Sequence, residues 1–88
     1  MKLNKDYIMS ELGDESVLVP TGQASSDFHG VIRLNETAAF IVNCMKKDAE
    51  AEKIAEALTG EYDVDIQTAE KHVTSVLEKL RKIGAIDE

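Results

Sequence analysis

The sequence predicts an α+β fold of winged helix-turn-helix kind, with three short antiparallel strands followed by three helices. β-prone segments fill the first part of the chain, helical spacing of apolar residues fills the rest, and a short strand runs without a linker into the first helix. Strands followed by helices joined by short turns are typical of this class. A chain of 88 residues can bury one modest core, so a single domain over 1–88 is expected.

The three strands are predicted from β-prone segments bounded by turn residues. Residues 7–12 and 16–20 flank Gly13-Asp14-Glu15, a cluster that favours a hairpin. Residues 31–34 form the third predicted strand. The small and polar residues of 21–30 before it predict a long exposed connection.

The first helix is predicted over 36–47, where nearly every central residue is apolar, so the helix should be largely buried. Asn35 precedes it and is typical of an N-cap, because its side-chain oxygen can accept a hydrogen bond from a free amide of the first turn. Glu36 adds a negative charge at the positive end of the helix dipole.

Apolar spacing predicts two further helices. The second covers 49–59 and is amphipathic, and Gly60 is the predicted residue that ends it. The third covers 66–83, with Asp65 as its expected N-cap and Gly84 at its end.

The net charge and the cysteine content limit which ligands and which cellular compartment the sequence is compatible with. A net charge of −7 argues against a general nucleic-acid binder, because such binding depends on lysine and arginine at the phosphates. The single cysteine, Cys44, allows no internal disulfide and fits a reducing compartment. No secretion signal or apolar run long enough to span a membrane is present, so we expect a cytoplasmic protein.

Residues with catalytic or metal-binding chemistry are few and scattered. Cys44 lies in the most apolar segment, which favours a packed side chain over a nucleophile. His29 and His72 belong to no metal-ligand spacing, and no glycine pair forms a phosphate-binding loop. The sequence therefore predicts a protein that is not an enzyme and has no metal or cofactor of its own.

Four segments occur in an order that carries a family resemblance. They are VLVP at 17–20, IRLNETAA at 32–39, YDVD at 62–65 and LEKLRKIGAI at 77–86, and LNETAA at 34–39 is the most specific. With these motifs the chain resembles PqqD-like proteins, the coenzyme PQQ synthesis protein D type, over residues 7–86.

The resemblance implies a RiPP recognition element, a winged-helix domain without catalytic activity. Such a domain captures the leader of a ribosomally synthesised precursor peptide by β-strand addition and presents it to a maturation enzyme, usually a radical SAM protein. The leader would lie beside the third strand, in a cleft shared with the third helix. The implied peptide-binding edge consists of Val31, Ile32, Arg33 and Leu34. An exposed edge suits this role because its unpaired backbone groups can bind another strand.

Three polar residues of the third helix, His72, Ser75 and Lys79, fall near one line at helical spacing. They either flank the cleft and contact the peptide or face solvent, and the spacing fits both interpretations. If they flank the cleft, Arg33 and Lys79 would favour an acidic leader.

Two other functions are compatible with the same fold. One is a DNA-binding regulator with Lys71, Lys79, Arg81 and Lys82 on phosphates, which the acidic net charge disfavours. The other is a protein-protein adaptor without a precursor peptide. In that case a homodimer could form by strand exchange through residues 21–30.

Overall fold

A three-stranded antiparallel sheet and three long helices form the body of the protein, in a computed structural model that describes residues 1–27 and 30–88. In chain order the elements are β1 (Lys2–Leu3), β2 (Tyr7–Leu12), β3 (Glu15–Pro20), α1 (Ala24–Asp27), β4 (Ile32–Leu34), α2 (Glu36–Cys44), α3 (Ala51–Glu61), α4 (Ile66–Lys82) and β5 (Ile86–Asp87). The predicted α+β fold is therefore confirmed.

The sheet has the order β2-β3-β4, so β3 is central and β4 lies at one edge. The predicted hairpin joins β2 to β3 through two residues, because Leu12 pairs with Glu15. Gly13 adopts a φ of 64°, the positive value that tight hairpin turns require at this position. β4 starts one residue later than predicted and leaves Val31 outside the strand.

The connection over 21–30, predicted to be long and exposed, contains a short helix, α1. The start of this connection is anchored to the residue before β2, since the Thr21 amide donates a hydrogen bond to the Asp6 carbonyl at 2.6 Å. Ser25 closes the first turn by donating its hydroxyl to the Gly22 carbonyl. The prediction that His29 is not a metal ligand concerns a residue outside the described ranges.

A second sheet, absent from the sequence prediction, joins the two ends of the chain. β1 and β5 pair antiparallel, with Leu3 opposite Ile86. The Leu3 amide also donates to the Met45 carbonyl at 2.9 Å, which connects this sheet to the end of α2. Strands of two residues carry too little periodicity to be recognised in a sequence.

The first predicted helix was too long at its C-terminal end. α2 ends at Cys44 rather than continuing to residue 47, and Met45 is its C-cap. The Met45 side chain is fully buried in the core, while its carbonyl accepts the Leu3 hydrogen bond. Tertiary contacts therefore end the helix before this residue, although methionine has a good helix propensity.

The prediction that Gly60 ends the second helix was wrong. α3 begins at Ala51 and continues through Gly60 to Glu61, and the chain becomes extended at Tyr62. The Tyr62 amide donates to the Leu58 carbonyl, which completes the last turn. Glycine permits a left-handed conformation but does not impose one, and Gly60 has no positive φ.

The end of α4 does use a glycine as predicted. Gly84 has a φ of 74°. Its amide donates to the Arg81 carbonyl, and the Ala85 amide donates to the Leu80 carbonyl at 2.9 Å. These two bonds form a Schellman motif.

The same substitution at the two glycines is expected to change stability in opposite directions. Gly84→Ala should lower the free energy of unfolding by at least about 1 kcal/mol, because alanine is strained at positive φ. Gly60→Ala should raise it by about 0.5–1 kcal/mol, since alanine favours a helix interior and its Cβ would meet no atom within 4 Å. Urea unfolding followed by circular dichroism measures both. A stability loss at Gly60 similar to that at Gly84 would contradict the assigned helix ends.

Both predicted N-caps are confirmed. The Ala38 amide donates to Asn35 Oδ1 at 2.8 Å, and the Thr68 amide donates to Asp65 Oδ1 at 2.7 Å. The hydrogen bonds from Thr68 favour the charged carboxylate and hold the pKa of Asp65 below its usual value.

Asn35→Ala is expected to destabilise the protein by about 1 kcal/mol, because it leaves the Ala38 amide without its capping acceptor. Asn43→Ala is the matched control, since Asn43 is an exposed asparagine near the other end of α2. The Asn43 variant should keep the wild-type free energy of unfolding to within about 0.5 kcal/mol. Equal losses in both variants would argue against the capping role.

The core lies between the sheet and the helices. Its largest fully buried side chains include Leu18 from β3, Ile41 from α2 and Leu58 from α3. Phe40 packs edge-to-face on Tyr62 with ring centroids 5.8 Å apart, which joins α2 to the turn between α3 and α4. Buried residues of α4, such as Val73 and Leu77, belong to the same core, which packs α4 against α2 and α3 and opposite β4.

Candidate functional site

A cleft of about 160 Å³ lies between the sheet edge and two helices. β4 forms one wall, α4 forms the opposite wall, and the start of α2 closes one side. The lining residues are Ile32, Arg33, Leu34, Asn35, Thr37, Ala38, His72, Ser75, Val76, Lys79 and Leu80.

The β4 wall is an open strand edge. Only β3 pairs with β4 within the part of the chain that the structure describes, through the register Val17 with Arg33. The backbone groups on the other side of β4 therefore face the cleft. They provide donors and acceptors in the spacing that a further strand requires.

The cleft has an apolar base. Val76 and Leu80 from α4 and Ala38 from α2 contribute aliphatic groups. Ile32 and Leu34 are half-buried and pack against the core. A ligand strand could therefore bury apolar side chains in the cleft while its backbone pairs with β4.

The rim on α4 is polar. His72, Ser75 and Lys79 are exposed and line the cleft together, so the structure places them on the cleft side of the helix. Asn35 and Thr37 form the rim at the start of α2, where the Thr37 hydroxyl donates to Asn35 Oδ1 at 3.1 Å. The rim can supply hydrogen bonds and positive charge to a bound molecule.

The structure brings six of the seven sequence-predicted site residues into this cleft. Val31 is the exception, because it precedes β4, is 47% exposed and does not line the cleft. The lining residues that sequence reasoning missed are Asn35, Thr37, Ala38, Val76 and Leu80. A helical signal was present for the last two, since Val76 lies four residues after the predicted site residue His72, and Leu80 lies four residues after Val76.

Arg33 is the only cleft residue in the described ranges that forms an ion pair. Its Nε lies 3.7 Å from Glu15 Oε2, and the two side chains are 79% and 58% exposed. At this distance and exposure the pair contributes little to stability. Arg33 can therefore leave Glu15 for a ligand at small cost.

Other chemistry at the site is limited. Cys44 lies outside the cleft, and partial burial raises the pKa of its thiol, which disfavours the reactive thiolate. No group of three potential metal ligands occurs in residues 1–27 and 30–88. Across the same ranges, no helix combines the length and the apolar character that crossing a bilayer requires.

The fold and the cleft define a small winged-helix domain whose open sheet edge faces a helix. The chain belongs to the family of coenzyme PQQ synthesis protein D (PqqD), because the family's sequence profile matches residues 15–86. This match includes β3, β4, α2 and α4, and so every wall of the cleft. The resemblance inferred from the motifs is thereby confirmed.

Two solved structures share the fold across nearly the whole chain. TbiB1 in complex with the TbiA(beta) leader peptide aligns with a TM-score of 0.76 and 23% identity, covering 99% of this chain and 100% of that one. Lasso peptide synthetase B1 complexed with the leader peptide aligns with a TM-score of 0.75 and 25% identity, covering 96% of this chain and 93% of that one. A comparison with curated protein sequences gave no match.

Proposed function

We propose that this protein captures the leader of a ribosomally synthesised precursor peptide and presents it to a maturation enzyme. The single observation that carries the proposal is the open edge of β4 facing a cleft with an apolar base. Membership of the PqqD family and the leader-peptide complexes formed by its structural relatives support the same function.

Strand addition explains how such a cleft would hold a peptide. Backbone hydrogen bonds to β4 would supply affinity for many sequences, and side-chain contacts would supply selectivity. Ile32, Arg33 and Leu34 would pair with the leader backbone. His72, Ser75 and Lys79 would contact its side chains from α4, and Val31 would contact a leader that extends beyond the strand.

The proposed role requires no catalysis by this chain. In our proposal the chain binds no cofactor. A partner enzyme of the radical SAM type, as the resemblance implies, catalyses the maturation of the precursor peptide. We propose that the chain acts as one domain in the cytoplasm, where its cysteine stays reduced. A homodimer stays a prediction from the sequence, which light scattering at high concentration would check.

The positions of the basic residues on α4 favour the peptide function over DNA binding. Lys79 lines the cleft, and Arg81 pairs with Glu88 at 2.7 Å near the chain end. Lys71 and Lys82 lie on a helix that also exposes Glu70 and Glu78. A mixed-charge helix surface is a poor match to a phosphate backbone.

An amide NMR titration tests the proposal directly. The probes are synthetic peptides that cover the N-terminal half of each short open reading frame encoded beside this gene. Saturable shifts should centre on β4 and on the cleft side of α4, and nuclear Overhauser contacts should connect the peptide backbone with β4. Residues on the outer face of α3, such as Glu56, serve as the internal control and should not shift.

An unchanged spectrum at millimolar peptide would mean binding weaker than about −4 kcal/mol. That result would contradict the leader-binding proposal for the peptides used and favour an adaptor that binds another protein. Saturable shifts confined to surfaces away from β4 would show peptide binding but contradict strand addition.

A further inference from the structure

The cleft differs in charge from the rest of the protein. Aspartate and glutamate outnumber lysine and arginine by 17 to 10 in the chain, yet none of the described residues that line the cleft is acidic. Lys79 provides a positive charge on the α4 side, and Arg33 carries a second one on the β4 wall. The site is therefore a cationic region on an anionic protein, which would attract an acidic ligand more strongly than a basic one.

Both cations are available to a ligand. Lys79 is exposed and forms no ion pair within the described ranges. Arg33 has only the long, exposed contact with Glu15 at 3.7 Å. Neither charge is therefore committed to holding the fold together.

Arg33 and Lys79 would contact opposite faces of a strand added to β4. Side chains alternate along a strand, so half-buried Ile32 and Leu34 point towards the core whereas exposed Arg33 points to the outer face of the sheet. On an added strand, the residue opposite Arg33 would also point outward. Its immediate neighbours would point inward, towards Lys79 and the apolar side chains of α4.

Resting on the proposed function, we propose that the cleft selects leader strands carrying two acidic residues separated by an odd number of positions. One acidic residue lies on the outer face beside Arg33, and the other lies on the inward face at Lys79. The remaining inward residues are apolar and pack on Val76 and Leu80. The odd separation follows because side chains an even number of positions apart share one face of a strand.

A displayed library of random 12-residue peptides provides the test. Selection is run in parallel on the wild-type protein and on Ser75→Trp, a variant whose bulky side chain obstructs the cleft, and only peptides specific to the wild type are kept. We expect these peptides to be enriched in pairs of acidic residues at odd separations. The other positions whose side chains point inward should be enriched in apolar residues.

Charge reversal then assigns each acidic residue to its cation. With an enriched peptide as the probe, Arg33→Glu and Lys79→Glu should each weaken binding by about three- to tenfold, because an exposed attraction becomes a repulsion. Lys82→Glu is the matched control, since both lysines lie in the last turn of α4 and only Lys79 lines the cleft. Replacing the acidic residue of the peptide that faces Lys79 by lysine should restore affinity for Lys79→Glu and not for Arg33→Glu.

The outcomes separate this inference from the function on which it rests. If no peptide depends on an open cleft, the proposed function fails, and this inference fails with it. If cleft-dependent peptides appear without acidic residues, or with acidic pairs at even separations, the proposed function stands and this inference is overturned. Equal losses in Lys79→Glu and Lys82→Glu would also overturn it, because they would indicate a general charge effect.

Discussion

The Ser75→Trp variant is expected to bind leader peptide at least about tenfold more weakly than the wild type, a loss of about 1.4 kcal/mol. Ser75 is exposed on α4 and lines the cleft, so an indole at this position would occupy the space beside β4 that a ligand strand needs. Fluorescence anisotropy with a labelled peptide that shows saturable shifts in the NMR titration measures the change.

Thr74→Trp is the matched control for this experiment. Thr74 is also exposed on α4, but it faces the groove between α3 and α4 and does not line the cleft. The control should retain wild-type affinity to within about twofold, or about 0.4 kcal/mol. Circular dichroism should show the same helix content in both variants. Wild-type affinity in Ser75→Trp would contradict a ligand path along β4 and α4.

The Leu58→Ala variant is expected to lose about 2–5 kcal/mol of its free energy of unfolding. Leu58 is 0% exposed and lies on the side of α3 that packs against the other helices. Truncation removes its buried surface and leaves a cavity in the core. Since domains of this size are stable by only about 5–15 kcal/mol, urea unfolding should show a large shift of the midpoint.

Leu12→Ala makes the same chemical change at a residue that is 60% exposed at the end of β2. It should change the free energy of unfolding by no more than about 0.5 kcal/mol. A larger loss for Leu12→Ala than for Leu58→Ala would mean that the core packs differently from the structure described above.

Local chemistry explains the parts of the fold that were predicted well. Asn35 and Asp65 cap helices through hydrogen bonds to amides only three residues away, so the signal lies within a few neighbouring residues. The β2-β3 hairpin follows from Gly13 in a tight turn between two β-prone segments. Gly84 ends α4 through contacts confined to the last turn.

The errors arose where distant residues decide the local conformation. α2 ends before Met45 because the Met45 side chain is buried in the core and its carbonyl accepts a hydrogen bond from the Leu3 amide. α3 continues through Gly60 and ends only before Tyr62, whose ring packs on Phe40 of α2. The β1-β5 pair forms between residues more than 80 positions apart, as Lys2 opposite Asp87 shows. None of these contacts leaves a periodic pattern in the sequence.

The candidate site shows the same division. Motif resemblance predicted that the strand now seen as β4 is the binding edge, and helical spacing placed His72, Ser75 and Lys79 on one line. Spacing alone was equally compatible with a line that faces solvent. The packing of α4 against α2 and α3 decides that this line faces β4, and it adds Val76 and Leu80 as the apolar base.

The order of the main strands and helices, the capped helix starts and the family could be predicted from the chain alone, because these depend on neighbouring residues and on motifs in a fixed order. The ends of α2 and α3, the pairing of the two chain ends and the face of α4 that meets the sheet edge are set by the assembled fold. These features depend on core packing and on hydrogen bonds between residues far apart in the chain. Such interactions become defined only when the helices and the sheet are assembled.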